Sequence, residues 1–154
     1  MLRKSFLTLA LAAFALTTFA TTSTAVADTE EAVEYRQGVF KVVRWHFGPM
    51  GAMVQGEMDY DAELFARNAK HVAALAPMAI AGFEGFEGSD GGFSDAKAAI
   101  WAEWDTFAEG MENFVEESAK LAEVARSGDM GDIRPQFRNV ALTCRGCHDD
   151  YRKD

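Results

Sequence analysis

Two cysteines and a histidine close to the end of the chain, Cys144, Cys147 and His148, have the spacing of a covalent haem attachment site. In the Cys-x-x-Cys-His pattern the two thiols add across the haem vinyl groups as thioethers, and the histidine ligates the iron. On a helix these positions are i, i+3 and i+4, so the three side chains share one face, whereas Arg145 and Gly146 point elsewhere. The spacing therefore predicts one covalently bound haem c, with His148 as the axial iron ligand.

Three other uses of the two cysteines fit less well. A thioredoxin-like redox pair expects a βαβ context and a helix N-terminus, but this pair lies near the C-terminal end of a helical pattern. A structural zinc site needs a fourth ligand, and the other histidines, His46 and His71, form no ligand pair with the motif. A disulfide across two residues is possible but strained within a helix.

The N-terminus has the pattern of a secretory signal peptide. A short positive start precedes an apolar core over residues 6–16, and Ala25-Val26-Ala27 fits the small-x-small cleavage site. The apolar core is shorter than the roughly 20 residues that a membrane-spanning helix needs. We therefore predict that residues 1–27 are a cleaved signal peptide, that residues 28–154 form a single domain, and that the protein is periplasmic.

The domain that follows the signal is acidic. Removing the first 27 of 154 residues leaves 13 lysines and arginines against 24 aspartates and glutamates, a net charge of −11. Nucleic acid and anionic membrane surfaces are therefore disfavoured as partners, whereas a basic redox partner would be attracted. The remaining length is enough for one core and one cofactor. Because both cysteines belong to the haem motif, no disulfide framework remains.

Four amphipathic helices separated by turn signals account for the domain, and no stretch keeps the strict alternation of a strand. On the last helix the haem motif continues the apolar stripe, which places the haem inside the molecule near one end. Short connections join antiparallel neighbours, so we predict an all-α, antiparallel four-helix bundle. The helices are predicted over about Thr29 to Phe47, with a kinked continuation to Val54 after Gly48-Pro49, then Asp59 to Ile80, Asp95 to Arg126, and Gly131 to Tyr151.

The longest connection, residues 82–94, is rich in glycine. It lacks the Gly-Lys-Ser/Thr end and the preceding strand of a phosphate-binding loop. Loops of this length are more often functional than simple connectors. We expect its three aromatic residues, Phe83, Phe86 and Phe93, to lie back over apolar surface, either in ordinary loop packing or over a haem edge.

With these elements in place, the sequence resembles the cytochromes c′, the high-spin class II c-type cytochromes. The resemblance rests on the Cys-x-x-Cys-His motif near the C-terminus, on Tyr35-Arg36-Gln37 in the first helix, and on Ile100-Trp101 in the third. It implies a left-handed four-helix bundle, a homodimer and a five-coordinate haem. The 82–94 loop is longer than is usual for the family.

The resemblance also implies roles for single residues around the haem. Arg36 and Gln37 are expected to reach the haem propionates, and a guanidinium suits a carboxylate; the alternative for Arg36 is a solvated helix residue. Phe40, one turn later, takes the place of the distal pocket residue. Arg152 is expected to flank the proximal imidazole, and a simple cation at a helix C-terminus is its alternative.

The sixth iron position is expected to be free of any protein ligand. Phe40 has no lone pair to give, and the methionines of this region, Met50, Met53 and Met58, lie beyond the Gly48-Pro49 break. His46 lies six residues after Phe40, which turns its direction by about 120° around the helix axis.

An open iron in an apolar cavity favours NO, and CO more weakly, because bound O₂ depends on hydrogen-bond donors that a phenylalanine does not supply. One hypothesis is therefore a gas-binding haem protein that protects against nitrosative stress. The other is a periplasmic electron carrier that exchanges electrons with a basic partner. We do not expect an enzyme, because the predicted distal side offers no acid or base.

Overall fold

The computed structural model describes residues 22–154, with side chains described from residue 28 onward. The predicted signal peptide, residues 1–27, falls outside these described side chains and stays a prediction. Among the helices of the described part, none is long and apolar enough to cross a bilayer. The four long helices are α1 (Thr22–Gln55), α2 (Ala62–Leu75), α3 (Trp104–Val124) and α4 (Met130–Tyr151).

These helices confirm the predicted all-α four-helix bundle. Three short helical segments complete the order: a 3₁₀ segment after α2, a single helical turn before α3 and a 3₁₀ turn after it. Between residues 22 and 154 the chain forms no strand, only an isolated antiparallel bridge between Ala96 and Arg152. The short segments span Ala76–Gly82, Ala99–Ala102 and Ala125–Ser127.

The first helix begins earlier than predicted, and its predicted continuation past Gly48-Pro49 is observed. It begins at Thr22 rather than about Thr29, and it passes through Pro49 without a break before ending at Gln55. A proline inside a helix removes one hydrogen bond, but the next turn places Met50 and Met53 in the core. Burying two methionine side chains stabilises by about 1.5–3 kcal/mol each, which outweighs the lost bond.

The second and third predicted helices are each interrupted. The second gives way at Leu75 to the 3₁₀ segment that contains Pro77, instead of running on to Ile80. The third was predicted to be continuous from Asp95, which is wrong, because Glu103 leaves helical geometry at φ −121° and ψ 38° and α3 starts only at Trp104. Here tertiary contacts override a continuous apolar pattern.

Side-chain caps fix the starts of α2 and α4. The Asp61 carboxylate accepts a hydrogen bond from the Leu64 amide at 2.9 Å and caps α2. The Asp129 carboxylate accepts from the Gly131 amide at 2.7 Å and caps α4. Gly128, at φ 71°, supplies the left-handed turn between α3 and α4.

The core is divided into two clusters that lie one after the other along the bundle. The larger one joins all four helices around Phe65, Leu121 and Ile133. The smaller one, around Ile100 and Phe107, joins α3 and the end of α4 to the segment after α2. Consecutive helices pack closely, whereas α1 and α4 meet at only a few positions. The bundle therefore has an opening between α1 and α4.

One buried serine in the core lowers the stability of the fold. The Ser118 side chain on α3 is fully buried, and its hydroxyl has no hydrogen-bond partner among the described residues. Because an unpaired buried hydroxyl is costly, we expect Ser118→Ala to raise the free energy of unfolding by about 1 kcal/mol, measured by urea denaturation.

The matched control is a second buried serine whose hydroxyl is paired. Ser89 accepts a hydrogen bond from Arg36 at 2.7 Å, so Ser89→Ala should lower the free energy of unfolding by about 2 kcal/mol. If Ser118→Ala were the more destabilising of the two, the Ser118 hydroxyl would have to be paired in solution.

Candidate haem site

A cavity of about 610 Å³ occupies the opening between α1 and α4. Its volume lies in the range of about 300–1,000 Å³ that is usual for bound cofactors and ligands. One wall, on α4, presents Cys144, Cys147 and His148. The other walls are mostly apolar, which suits the porphyrin face of a haem. They include Phe40, Val43 and Phe47 of α1, Phe107, Met111 and Phe114 of α3, and Phe83 and Ile100 from the segments between.

The two thiols are half-buried and unpaired. Burial raises the pKa of the Cys144 thiol, and burial with the nearby charges of Cys144 and Asp150 raises the pKa of Cys147 to about 11. A thioredoxin-like pair needs the opposite shift, since its reactive form is the thiolate. The site therefore fits thioether attachment better than thiol–disulfide exchange.

His148 stands at the mouth of the cavity, one position after Cys147. Partial burial lowers its pKa and the Arg152 charge lowers it further, while Asp149 acts in the opposite direction. The net shift favours the neutral imidazole, which is the form that ligates a metal. The zinc alternative would need further ligands, and among the described residues no three His, Cys, Asp or Glu side chains lie close enough to hold a metal ion.

The end of α4 that carries this motif is fixed by the segment before α3. The Lys97 ammonium donates to the carbonyl oxygens of Asp149 and Asp150 at 3.2 and 3.1 Å. A cation is stabilising at a helix C-terminus, where carbonyl groups lack partners. The Lys97 amide also donates to the backbone carbonyl of Tyr151 at 2.9 Å, and the Lys153 amide donates to the backbone carbonyl of Asp95 at 2.7 Å. These bonds hold the last turn, and thus His148, in place.

Arg152 lines the cavity next to His148, where the sequence placed it. Its guanidinium lies 3.5 Å from the Asp95 carboxylate, and both side chains are more than half exposed. Exposed pairs of this kind contribute at most about 1 kcal/mol. The predicted proximal role of Arg152 stays a prediction.

On the α1 side, three apolar side chains line the cavity among polar ones. Phe40 lies with its ring centroid 6.4 Å from that of Phe83, and Phe47 stacks on Phe137 at 4.4 Å. Val43 lines the same wall, and so do the polar side chains of Arg36, Gln37, Lys41 and Arg44. Phe40, Val43 and Phe47 have no atom that can donate a hydrogen bond or coordinate iron.

The other candidate axial ligands, Met50, Met53 and His46, are engaged in contacts outside the cavity wall. Met50 and Met53 are buried in the larger core cluster, and His46 is hydrogen-bonded to Asn68 at 3.0 Å and stacked on His71. One residue was missed, because Met111 of α3 lines the cavity. Its position in the regular apolar stripe of α3 indicated a core residue and gave no signal that this part of the stripe faces a cavity.

Arg36 is buried, at 3 % exposure, rather than solvated. Its guanidinium donates to the Gly82 carbonyl at 3.0 Å and to the Ser94 hydroxyl at 2.6 Å. It also donates to the hydroxyl and the carbonyl of Ser89, at 2.7 and 2.5 Å. The alternative of a solvated helix residue is therefore wrong, and the predicted contact of Arg36 with a propionate stays a prediction.

The 82–94 loop is held against α1 at two further points. The Gln37 amide donates to the Phe93 carbonyl at 2.8 Å, while the Phe93 ring itself is 85 % exposed. The expectation that all three loop aromatics lie back is wrong for Phe93 and holds for Phe83, which is buried. Gln37 lines the cavity beside Arg36, and its predicted contact with a propionate stays a prediction.

A four-helix bundle whose last helix turns two thiols and an imidazole toward an apolar cavity defines the class of helical c-type haem proteins. The comparisons agree. Residues 31–152 match the family model described as cytochrome c′. A cytochrome c′ of Halomonas halodenitrificans is 42 % identical over 132 residues, which cover 83 % of this chain and all of that protein. The chain therefore belongs to the cytochrome c′ family and carries one covalently bound haem c.

Solved structures give the same assignment. The cytochrome c prime of Shewanella frigidimarina is 40 % identical, with a TM-score of 0.79 and coverage of 82 % of this chain and 97 % of that one. Variants of the Alcaligenes xylosoxidans protein include a nitric oxide complex and a carbon monoxide-bound form. These two are 33 % and 34 % identical, each with a TM-score of 0.74 and coverage of 82 % and 97 %.

The attachment residues can be tested directly. We expect the double variant Cys144→Ala, Cys147→Ala to lose covalent haem completely, because both vinyl groups then lack a thiol. Mass spectrometry of the denatured protein should show the mass of one haem on the wild type and none on the variant. The matched control is Arg145→Ala, a change within the motif at an exposed side chain, which should keep the haem. Haem mass on the double variant would contradict the assignment.

Proposed function

We propose that the protein is a periplasmic haem protein that binds small neutral gases, NO in preference to CO, and that it protects against nitrosative stress. The observation that carries the proposal is the apolar part of the α1 wall, because the Phe40, Val43 and Phe47 side chains that line the cavity have no coordinating atom and no hydrogen-bond donor. The haem supplies an iron that takes a diatomic ligand at its free position. The nitric oxide and carbon monoxide complexes of the Alcaligenes xylosoxidans relatives support this reading.

The residues that line the cavity would have different roles toward the haem. Cys144 and Cys147 would hold it through thioethers, and His148 would ligate its iron. The Phe40 ring would exclude water and restrict the space for a ligand. Because it offers no hydrogen bond, it gives O₂ little stabilisation. The periplasmic location rests on the predicted signal peptide, which ends just before the family match begins at residue 31.

The coordination state is the first test. We expect the absorption spectra of the ferric and ferrous protein to be those of a five-coordinate, high-spin haem, and we expect NO to change them. Met111 is the control, because its thioether lies in the cavity wall. Met111→Leu should leave the spectra unchanged. A low-spin, six-coordinate wild type that turns high-spin in Met111→Leu would show that sulfur fills the sixth position and would refute the proposal.

The distal ring is the second test. Replacing Phe40 by alanine removes the bulk beside the free iron position, so the ferrous variant should bind CO at least about tenfold more tightly, which corresponds to about 1.4 kcal/mol. Equilibrium titration of the ferrous protein with CO measures the effect. An unchanged CO affinity would mean that Phe40 does not face the bound ligand.

We also propose that the protein is a homodimer joined through α1. Tyr35, Gly38, Val42, Trp45 and Pro49 follow one another at spacings of three, four, three and four residues. This is the spacing of the seam between two packed helices. Tyr35, Val42 and Trp45 are 44, 43 and 78 % exposed, and a Cβ at Gly38 would meet nothing within 4 Å. A second copy of the same helix is the occupant that this stripe suits.

The dimer is tested by adding charge to the stripe. Trp45→Glu should convert the dimer to a monomer in analytical ultracentrifugation, because two carboxylates would face each other across the interface. Leu142→Glu is the matched control, since Leu142 is an exposed apolar residue on α4, at 53 % exposure, away from the stripe. A wild-type monomer, or dissociation by both variants, would refute an interface through α1.

A further inference from the structure

We propose that Arg36 is a positioning residue for gas binding, which holds the 82–94 loop so that Phe83 fixes the Phe40 ring and keeps CO affinity low. This inference rests on the proposed function for its gas-binding part. Arg36 and Phe40 lie one turn apart on α1, and Phe83 of the loop contacts both of them. Arg36 is thus connected to Phe40 in two steps, which we call links: from Arg36 to the loop, and from the loop to Phe40.

The first link is a set of buried hydrogen bonds. The two terminal nitrogens of Arg36 reach four acceptors, and these come from Gly82, Ser89 and Ser94, which lie 46 to 58 residues away along the chain. Ser89 and Ser94 are themselves buried. A buried charge is tolerated only where it is hydrogen-bonded, so the loop and the guanidinium stabilise each other. Charged hydrogen bonds contribute about 1.5–3 kcal/mol each.

The backbone of the loop is shaped for this contact. A Cβ at Gly82 would lie 2.7 Å from the Arg36 Cβ and 3.0 Å from the Ala32 carbonyl oxygen. Only glycine lets the start of the loop approach α1 so closely. At the other end of the loop, the Lys153 ammonium donates to the Asp90 carbonyl. The loop is therefore tied both to α1 and to the tail that follows the haem motif.

The second link is a chain of rings. The Arg36 guanidinium lies 4.6 Å from the centroid of the Phe83 ring, within the range of a cation–π contact. The Trp101 indole donates to the Phe83 carbonyl at 2.9 Å, and the Phe107 ring meets that of Phe83 edge-on at 5.0 Å. Phe83 is thus held on three sides, and its ring lies 6.4 Å from that of Phe40. If Arg36 is lost, Phe83 loses one support and Phe40 gains freedom to move.

Other cations of the cavity do not share this arrangement. Lys41 lies on the same helix and lines the same cavity, but it is exposed and forms no ion pair with any side chain that the structure describes. Lys41 therefore provides a matched control, in which a cation at the cavity wall is removed while the loop contacts stay intact.

The experiment uses the haem-loaded, full-length mature protein with two measurements. Hydrogen exchange over residues 82–94 reports the loop, and CO titration of the ferrous protein reports the distal side. Arg36→Met should raise the exchange rate of the loop amides and the CO affinity, each about tenfold, the change that corresponds to one lost interaction of about 1.4 kcal/mol. Arg36→Lys should give smaller changes in both, because one ammonium cannot reach all four acceptors. Lys41→Met should leave the exchange rate of the loop amides unchanged.

A double variant and a milder variant complete the design. Adding Arg36→Met to Phe40→Ala should raise CO affinity no further, because Arg36 acts through the Phe40 ring. Where Arg36→Met does not fold, Ser94→Ala removes one acceptor and should shift both measurements in the same direction by a smaller factor.

Two results would overturn the inference. Unchanged loop exchange in Arg36→Met would show that Arg36 does not hold the loop. Faster loop exchange with unchanged CO affinity would show that the loop does not position Phe40. A wild-type iron that is already six-coordinate would instead refute the proposed function, and the exchange measurement would still report the contact between Arg36 and the loop.

Discussion

The structure depends on the separation of α1 and α4. A flat cofactor attached through Cys144, Cys147 and His148 needs a gap beside α4, and a helical bundle would normally close such a gap by packing. Here α2 and α3 pack against each other and against the outer helices, so they hold α1 and α4 apart. The two core clusters stabilise this frame, and Lys97 fixes the last turn of α4.

The two walls of the cavity are built in different ways. The α4 wall is local, because three reactive side chains within five residues share one helix face. The α1 wall is assembled over long distances, since Phe40 is supported by Phe83, and Phe83 by Arg36 and Trp101. Haem attachment thus needs only a helix that places the three side chains on one face, whereas the space beside the α1 wall depends on the tertiary packing of a loop.

The same division explains what the sequence could predict. The haem motif and the continuation of α1 past Gly48-Pro49 are local patterns, and both were predicted from the sequence. The break at Glu103 was not predicted, because it coincides with a tertiary contact, in which the Glu103 carboxylate accepts a hydrogen bond from the Tyr151 hydroxyl at 3.2 Å. Met111 looked like any core residue of α3. The partners of Arg36 lie far along the chain, where helical periodicity carries no information.

Arg36 shows how a loop rich in glycine can still be ordered. Glycine residues lose the most conformational entropy on folding, so the glycines of the 82–94 loop disfavour an ordered conformation. A guanidinium supplies several directed hydrogen bonds at once, and it can lie flat on an aromatic ring with its remaining surface. Burial lowers the pKa of Arg36, while Asp90 acts against this shift. The guanidinium keeps its charge, and its hydrogen bonds to the loop compensate for its burial. The loop, the buried cation and the Phe83 ring behind Phe40 are therefore ordered as one unit, and the α1 wall of the cavity depends on that unit.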